Sequence, residues 1–390
     1  MTTVYVDNNA TTRVAPEVLD EMLPYFSEYY GNPSSAHSFG GNVAKKIREA
    51  REKTAALIGA DADEIVFTSC GTESDNAAVR SALKSAPDKK HIVTSTVEHP
   101  AVLNLCTSLE KEGYRVTYVP VDGKGNLDFE HYSESLTDDT ALVTLMWANN
   151  ETGVIFPVGR LAEKAAEKGI PFHTDAVQAA GKVEVNVKDM PVSMLSLSGH
   201  KIHAPKGVGA LYVKNGTRFN PFVIGGHQES GRRGGTENVA SIIGFGRACE
   251  LAAEHLPRVD TEVRRMRDYL EKSLLEAISF SSVNGDRENR IPGTVSIGFD
   301  AIEGESILMH IDNAGICASS GSACTSGSLE PSHVLRAMDV PFKSAHGSIR
   351  FSLSIYNTAD EMEYIVKTLP PVIRKLRLMS PFWDRCNDKA

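Results

Sequence analysis

Between residues 64 and 213 the chain alternates short apolar runs with longer stretches in which apolar residues recur every three or four positions. The runs at 64–68, 91–95, 115–120, 141–146 and 171–174 have the length of buried strands, and 192–197 and 209–213 extend the series. Helices are predicted between them, one opening at the turn Ser69-Cys70-Gly71-Thr72 and others over 100–111, 129–136 and 157–168. Such alternation predicts an α/β fold with a mostly parallel, helix-covered sheet. Upstream, 4–7 reads as a short strand, Pro16 opens a helix to about residue 29, 31–41 has loop composition, and a helix starts at Asn42 and stops at Gly59. Downstream, helices are expected at 239–255, 261–278, 305–313, 331–338 and 359–376, with strands at 294–299 and 347–353. These describe a smaller C-terminal α+β unit. The expected division is a large domain over 15–258 and a small one made of 1–14 and 259–390, with the change near 256–260.

Composition narrows the role. With 390 residues, 41% apolar and 23% charged, the chain has the make-up of a globular protein. A net charge of −9 without a dense basic run argues against nucleic acid or an anionic membrane as partner. The N-terminus lacks the basic and apolar regions of a secretory signal, and no stretch stays apolar long enough to span a bilayer, so a cytoplasmic location is expected. Six scattered cysteines without a CxxC pair suit neither a disulfide framework nor a zinc site. Most should be buried thiols, whereas Cys324 sits among Ser, Gly, Ala and Thr, the composition of an exposed loop. Dinucleotide, Walker, zinc-protease and serine-hydrolase motifs are all absent.

The chemistry collects after two strands. Asp175 and Gln178 follow the apolar run ending at 174, and Ser198-Gly-His-Lys201 follows the run 192–197. Strand ends are where open α/β sheets place ligands. An acid, a glutamine and a lysine there are what pyridoxal phosphate needs: a lysine to hold its carbonyl as a Schiff base, and an acid to keep the pyridine nitrogen protonated. Gly71 and Thr72, in a small-residue turn opening a helix, are candidate phosphate holders, though the same turn also reads as a plain helix cap. His99 and Asn150 lie just past strands and on their own are ordinary loop hydrogen-bonders. The Gly- and Arg-rich loop at 225–238 suits a phosphate or a neighbouring subunit.

With Tyr5-Val-Asp-Asn-Asn-Ala-Thr-Thr, Gly31-Asn-Pro-Ser-Ser, Gly71-Thr-Glu-Ser, Glu98-His-Pro-Ala-Val, His173-Thr-Asp-Ala-Val-Gln, Ser198-Gly-His-Lys and Ser319-Ser-Gly-Ser-Ala-Cys in place, the sequence resembles the cysteine desulfurases nearly end to end. These are class V, fold-type I pyridoxal phosphate enzymes. His37-Ser-Phe-Gly-Gly, Met146-Trp-Ala-Asn-Asn-Glu-Thr-Gly and Gly226-His-Gln-Glu look most like the nitrogenase-associated (NifS) type, with the housekeeping iron–sulfur type as the nearest rival.

The resemblance implies roles. Lys201 would bind the cofactor and move the proton at the substrate Cα, Asp175 would pair with the pyridine nitrogen, Gln178 would bond the ring oxygen, and His99 would stack on the ring. Thr72, Ser198 and His200, with the Gly71 N–H, would hold the phosphate, and Thr236 would reach the phosphate of the partner in a homodimer. Arg350, helped by Asn150, would fork onto the carboxylate of L-cysteine. Cys324 would take the sulfur as a persulfide, leaving alanine, and pass it to an iron–sulfur scaffold protein. No resident metal is implied, although Cys324 could ligate a transferred iron–sulfur cluster. Rival readings are general iron–sulfur or tRNA-thiolation desulfurase, selenocysteine lyase, small-amino-acid aminotransferase and non-catalytic scaffold. Ile355 departs from the family's usual basic or small residue, and the short tail after Trp383 departs from longer-tailed relatives.

Overall fold

A computed structural model describes residues 3–320 and 331–383. Cys324 therefore lies outside the described residues.

Seven strands form the main sheet, in the order Ile65–Thr68, Gly209–Val213, Met194–Ser198, Phe172–Asp175, Thr140–Met146, His91–Ser95, Arg115–Val119. All neighbours run parallel except Gly209–Val213, which is antiparallel to both of its partners. Side chains alternate between the two faces, and both faces are covered. Val66, Ile92, Leu142 and Met194 pack with Ala78 and Leu105, from the helices Gly71–Ser85 and Pro100–Lys111. Phe67, Val93, Val143 and Leu195 point the other way, toward Ile47, Leu161 and Phe245 of Ser38–Leu57, Val158–Ala166 and Val239–Arg258. That two-sided burial explains why the strands read as apolar runs and not as a polar–apolar alternation.

A second core lies on a four-stranded antiparallel sheet ordered Ser319–Ser320, Ser348–Ser352, Thr294–Phe299, Ser281–Asn284. The helices Arg264–Ala277 and Ala359–Met379 cover it through Leu270, Leu274, Ile365 and Leu369. The N-terminal strand Val4–Tyr5 pairs in parallel with Ile316–Cys317. The α/β architecture with a mostly parallel sheet and a smaller C-terminal α+β unit is thus as the sequence predicts.

Several details differ, and some of them have a clear local cause. The first helix breaks into Pro16–Met22 and Pro24–Ser27, because Pro24 cannot donate a helical hydrogen bond. The loop expected up to residue 41 is already helical from Ser38, capped by His37 Nδ1, which accepts from the Gly40 N–H at 3.1 Å. Near 256–260 the chain does not leave the helix: Val239–Arg258 passes through one wider turn at Val259–Val263 into Arg264–Ala277. Pro257 costs one hydrogen bond there, and the wide turn absorbs the misfit.

Candidate active site

The main strands end on one cavity of about 340 Å³. Asp175 and Ser198 are the last residues of adjacent strands, His99 and Asn150 follow two others, and Gly71 opens the helix after Ile65–Thr68. Gly71, Thr72, His99, Asn150, Asp175, Gln178, Ser198, His200, Lys201 and Arg350 all line this one space. Thr236 does not: it is exposed on the loop before Val239.

One end of the cavity is built for an anion. The helix Gly71–Ser85 has no side-chain cap on its first turn, so its leading N–H groups stay open. A Cβ at residue 71 would stand 2.9 Å from Val177 Cγ2 and 3.5 Å from Ser198 Cβ, filling the gap between the helix and Ser198. Ser198 Oγ is buried and has no hydrogen-bond partner among the described residues. A buried hydroxyl without a partner is costly unless a ligand supplies one. The donor set therefore fits a phosphate group.

The middle holds the charges. Lys201 Nζ donates to the Asn9 and Ala10 carbonyls at 2.7 and 2.8 Å. Asp175 Oδ1 accepts from the Val177 N–H at 2.9 Å. Burial raises the Asp175 pKa, and His99 and Lys201 oppose that rise. Behind it, Asp75 is pushed well up by burial and then by the charge of Asp175. Glu98 is pushed up to about 8, chiefly by burial. Burial raises both, and the charge of Asp175, the position from which a pyridine N–H could be met, adds to the rise in each. His173, although 3.7 Å from Asp75, forms no ion pair with it. Burial lowers its pKa to about 3, and as a neutral ring it bonds Thr144 and Ser196.

His99 is tuned the same way. The Ala101 N–H donates to its Nδ1 at 3.1 Å, so in the neutral ring Nε2 carries the proton. Burial lowers its pKa, against the charge of Asp175, which raises it.

At the other end Arg350 is 4% exposed. Its guanidinium donates to Asp7 Oδ1 at 2.8 Å and to the Asn150 carbonyl at 3.0 Å, while its Nε has no partner among the described residues. The fork is braced on one side and keeps an N–H for a ligand. Ser319 is paired with Arg350 in the small sheet, so the chain enters the segment 321–330 beside this arginine. It returns at Ser332, which donates to Glu151 at 2.5 Å, and His333, which bonds the Glu98 carbonyl at 2.9 Å.

Sequence reasoning gives no role to Asn9, Lys182, Asp75 or Asp7. Asn9 belongs to the strand-end Asn-Asn pair, a signal of loop chemistry without a stated partner. Asp75 and Lys182 look like surface charges on helical and turn positions. Of the cysteines, Cys106 and Cys249 are buried, their thiols pushed up to about 12 by burial, whereas Cys70 and Cys317 are partly exposed.

Glu98 yields a prediction about pH. Its folded pKa, about 8, exceeds the unfolded value of about 4.3, so its contribution to stability is complete below about 4.3 and is lost as pH rises through 8. Glu98→Gln is expected to lose less melting temperature than the parent between about pH 5 and pH 9. An equal loss in the two proteins would show that Glu98 is not held protonated.

Comparison with known proteins fits this geometry. The class-V aminotransferase family matches residues 4–365, which makes the chain an enzyme of that α/β class. It is 56% identical to the cysteine desulfurase NifS of Azotobacter vinelandii over 385 residues, covering 98% of this chain and 96% of that one. Identity is also 56%, over 390 residues, to a cysteine desulfurase of Trichormus azollae, with 100% and 97% covered. A solved NifS-like protein superposes with a TM-score of 0.91 at 38% identity, covering 96% of this chain and all of that one. A structure described as SspA in complex with cysteine gives 0.81 at 36% identity, with 91% and 100% covered. The chain belongs to the cysteine desulfurases. Among the described residues no helix is long and apolar enough to cross a membrane.

Proposed function

We propose that the chain binds pyridoxal 5'-phosphate in this cavity and uses it to take sulfur from L-cysteine, leaving alanine and a persulfide on Cys324. The observation that carries the reading is the single cavity in which an open helix N-terminus and the unpartnered Ser198 hydroxyl face Asp175 and Lys201. Gly71, Thr72, Ser198 and His200 would hold the phosphate, Asp175 the ring nitrogen, Gln178 the ring oxygen, and His99 a ring face. When bound, the cofactor supplies an electron sink for the charge released at the substrate Cα.

The residues do the rest. Lys201 holds the cofactor and carries the proton at Cα. Arg350 orients the substrate carboxylate, with Asp7 fixing the guanidinium from behind. Neutral His99 keeps an N–H at Nε2 and can exchange it with the substrate. Cys324, as thiolate, attacks the substrate sulfur, so the Cβ–S bond breaks as the S–S bond forms, and the electron pair left on Cβ takes up a proton to become the methyl group of alanine.

The same reading includes a homodimer in which Thr236 serves the partner's phosphate, a large unit over 15–258 with a small one from 1–14 and 259–390, and a cytoplasmic location. The sulfur would pass to an iron–sulfur scaffold protein. The 56% identity to NifS favours nitrogenase maturation over a general iron–sulfur role.

The test is to incubate the enzyme with L-cysteine without reductant, quantify alanine, and map any sulfur adduct by peptide mass. Alanine matched by an adduct on Cys324 is the expected result, and alanine with the adduct on another cysteine would refute the assignment. For Arg350→Lys, the apparent Michaelis constant for cysteine is expected to rise about 10- to 100-fold, the worth of one charge-assisted hydrogen bond, with a smaller change in kcat. An unchanged Michaelis constant would remove Arg350 from the carboxylate.

A further inference from the structure

We infer that Lys182 is a positioning residue, which holds the side-chain amides of Gln178 and Asn9 so that Gln178 presents an N–H to the ring oxygen of the cofactor. The inference rests on the cofactor reading above. It starts from two amides whose orientation backbone carbonyls decide. Asn9 Nδ2 donates to the Asn150 carbonyl at 3.1 Å and to Thr294 Oγ1 at 2.8 Å. A backbone carbonyl can only accept, so the nitrogen of Asn9 is on that side and its Oδ1 faces Lys182 Nζ at 2.9 Å. By the same logic Gln178 Nε2 donates to the Asn9 carbonyl at 3.0 Å, and its Oε1 faces Lys182 Nζ at 2.5 Å.

Lys182 therefore gives one N–H to each of two side-chain carbonyl oxygens. Burial, then the cations Lys201 and Arg350, push its pKa well down. A neutral amine still has two N–H groups, so the match survives either protonation state. With Oε1 tied to Lys182, the amino end of Gln178 is turned inward, one N–H on the Asn9 carbonyl and the second left for the cavity that Gln178 lines. Asn9 carries the effect onward, since the carbonyl that accepts from Gln178 also accepts from Lys201.

Lys182 itself does not line that cavity. It lines a separate hollow of about 50 Å³ shared with Lys201 and Ile355, so it acts on the cofactor only through its neighbours. Without Lys182 both carbonyl ends would lose a donor, and the Gln178 amide would be free to turn.

The experiment is a pH titration of the visible band of the holoenzyme. A donor on the ring oxygen stabilises its negative charge and lowers the pKa of the lysine-bound cofactor. Lys182→Met is expected to raise that pKa by about one unit, a tenfold gain in proton affinity, and Gln178→Leu to raise it similarly. The double variant Lys182→Met/Gln178→Leu should match Gln178→Leu alone, because the two act as one unit. Lys182→Arg keeps the N–H groups and should leave the titration within a few tenths of a unit.

Three results would overturn the inference: an intact band with no shift in Lys182→Met, an undiminished Lys182→Met shift in the Gln178→Leu background, or a shift in Lys182→Arg as large as that of Gln178→Leu. The second would make Lys182 a charge acting through space. The third keeps the question decidable should Lys182→Met fail to fold. A parent protein that takes up no cofactor and shows no band would instead refute the cofactor reading itself.

Discussion

Lys201→Ala is expected to lower alanine formation from cysteine by at least about 10⁴-fold, because one side chain is asked for both the covalent hold and the proton at Cα. The two contributions can be separated. The phosphate end of the cavity does not use Lys201, so the variant should still retain cofactor, now removable by dialysis and with its visible band moved. Added primary amines should restore a small part of the proton transfer but none of the covalent attachment. The variant should also fold, although it removes the donor to the Asn9 and Ala10 carbonyls. A Lys201→Ala protein that keeps a tenth of the parent's turnover would mean that another base does this work.

Cys324→Ala is expected to show the opposite pattern. Cofactor binding, the visible band and the cysteine-induced change in that band should survive, while persulfide on the protein and transfer of sulfur to an acceptor fall below detection. The reason is order: in the proposed reaction the thiol acts after the substrate has been bound and its Cα proton moved. The described residues flanking the segment that carries Cys324 are held by Arg350, which lines the cavity, on the Ser319 side and by Glu151 on the Ser332 side. Full persulfide formation in this variant would move the nucleophile's role to another thiol, and Cys70, partly exposed on the cavity wall, would be the first to examine.

Much of this was legible before any coordinates. The strands at 91–95 and 294–299 and the helix at 100–111 were readable to the residue: a short apolar run marks the first, the alternation of Val295, Ile297 and Phe299 with Thr, Ser and Gly marks the antiparallel second, and Pro100 marks the helix start. Asp175 and Ser198 were readable as site residues because they end such runs. The strand Ser281–Asn284 was not, since Ser-Ser-Val-Asn carries no strand pattern and is held by pairing with Thr294–Phe299. Ser319–Ser320 hides for the same reason.

The unread part of the site is of one kind. Lys182, Asn9 and Asp7 act through contacts to residues more than a hundred positions away or across a turn, and no local period reports such contacts. Asp75 and Glu98 look like solvated acids in sequence. Only their burial beside Asp175 raises their pKa values.

The N-terminal Asn-Asn pair also sets a timetable. Asn8 Nδ2 donates to the Ser352 carbonyl, and the Asn9 N–H to Ser352 Oγ, 343 residues along the chain. A ribosome makes Asn9 among the first residues and its partners Thr294 and Ser352 in the last quarter. Domains built early fold early, but contacts this distant close late. The main sheet, which carries Asp175 and leads into Lys201, can form on the nascent chain before Thr294 and Ser352 exist to fix Asn9. A chain stalled before residue 294 would therefore lack these partners of Asn9, and one stalled before residue 350 would also lack the arginine that lines the cavity.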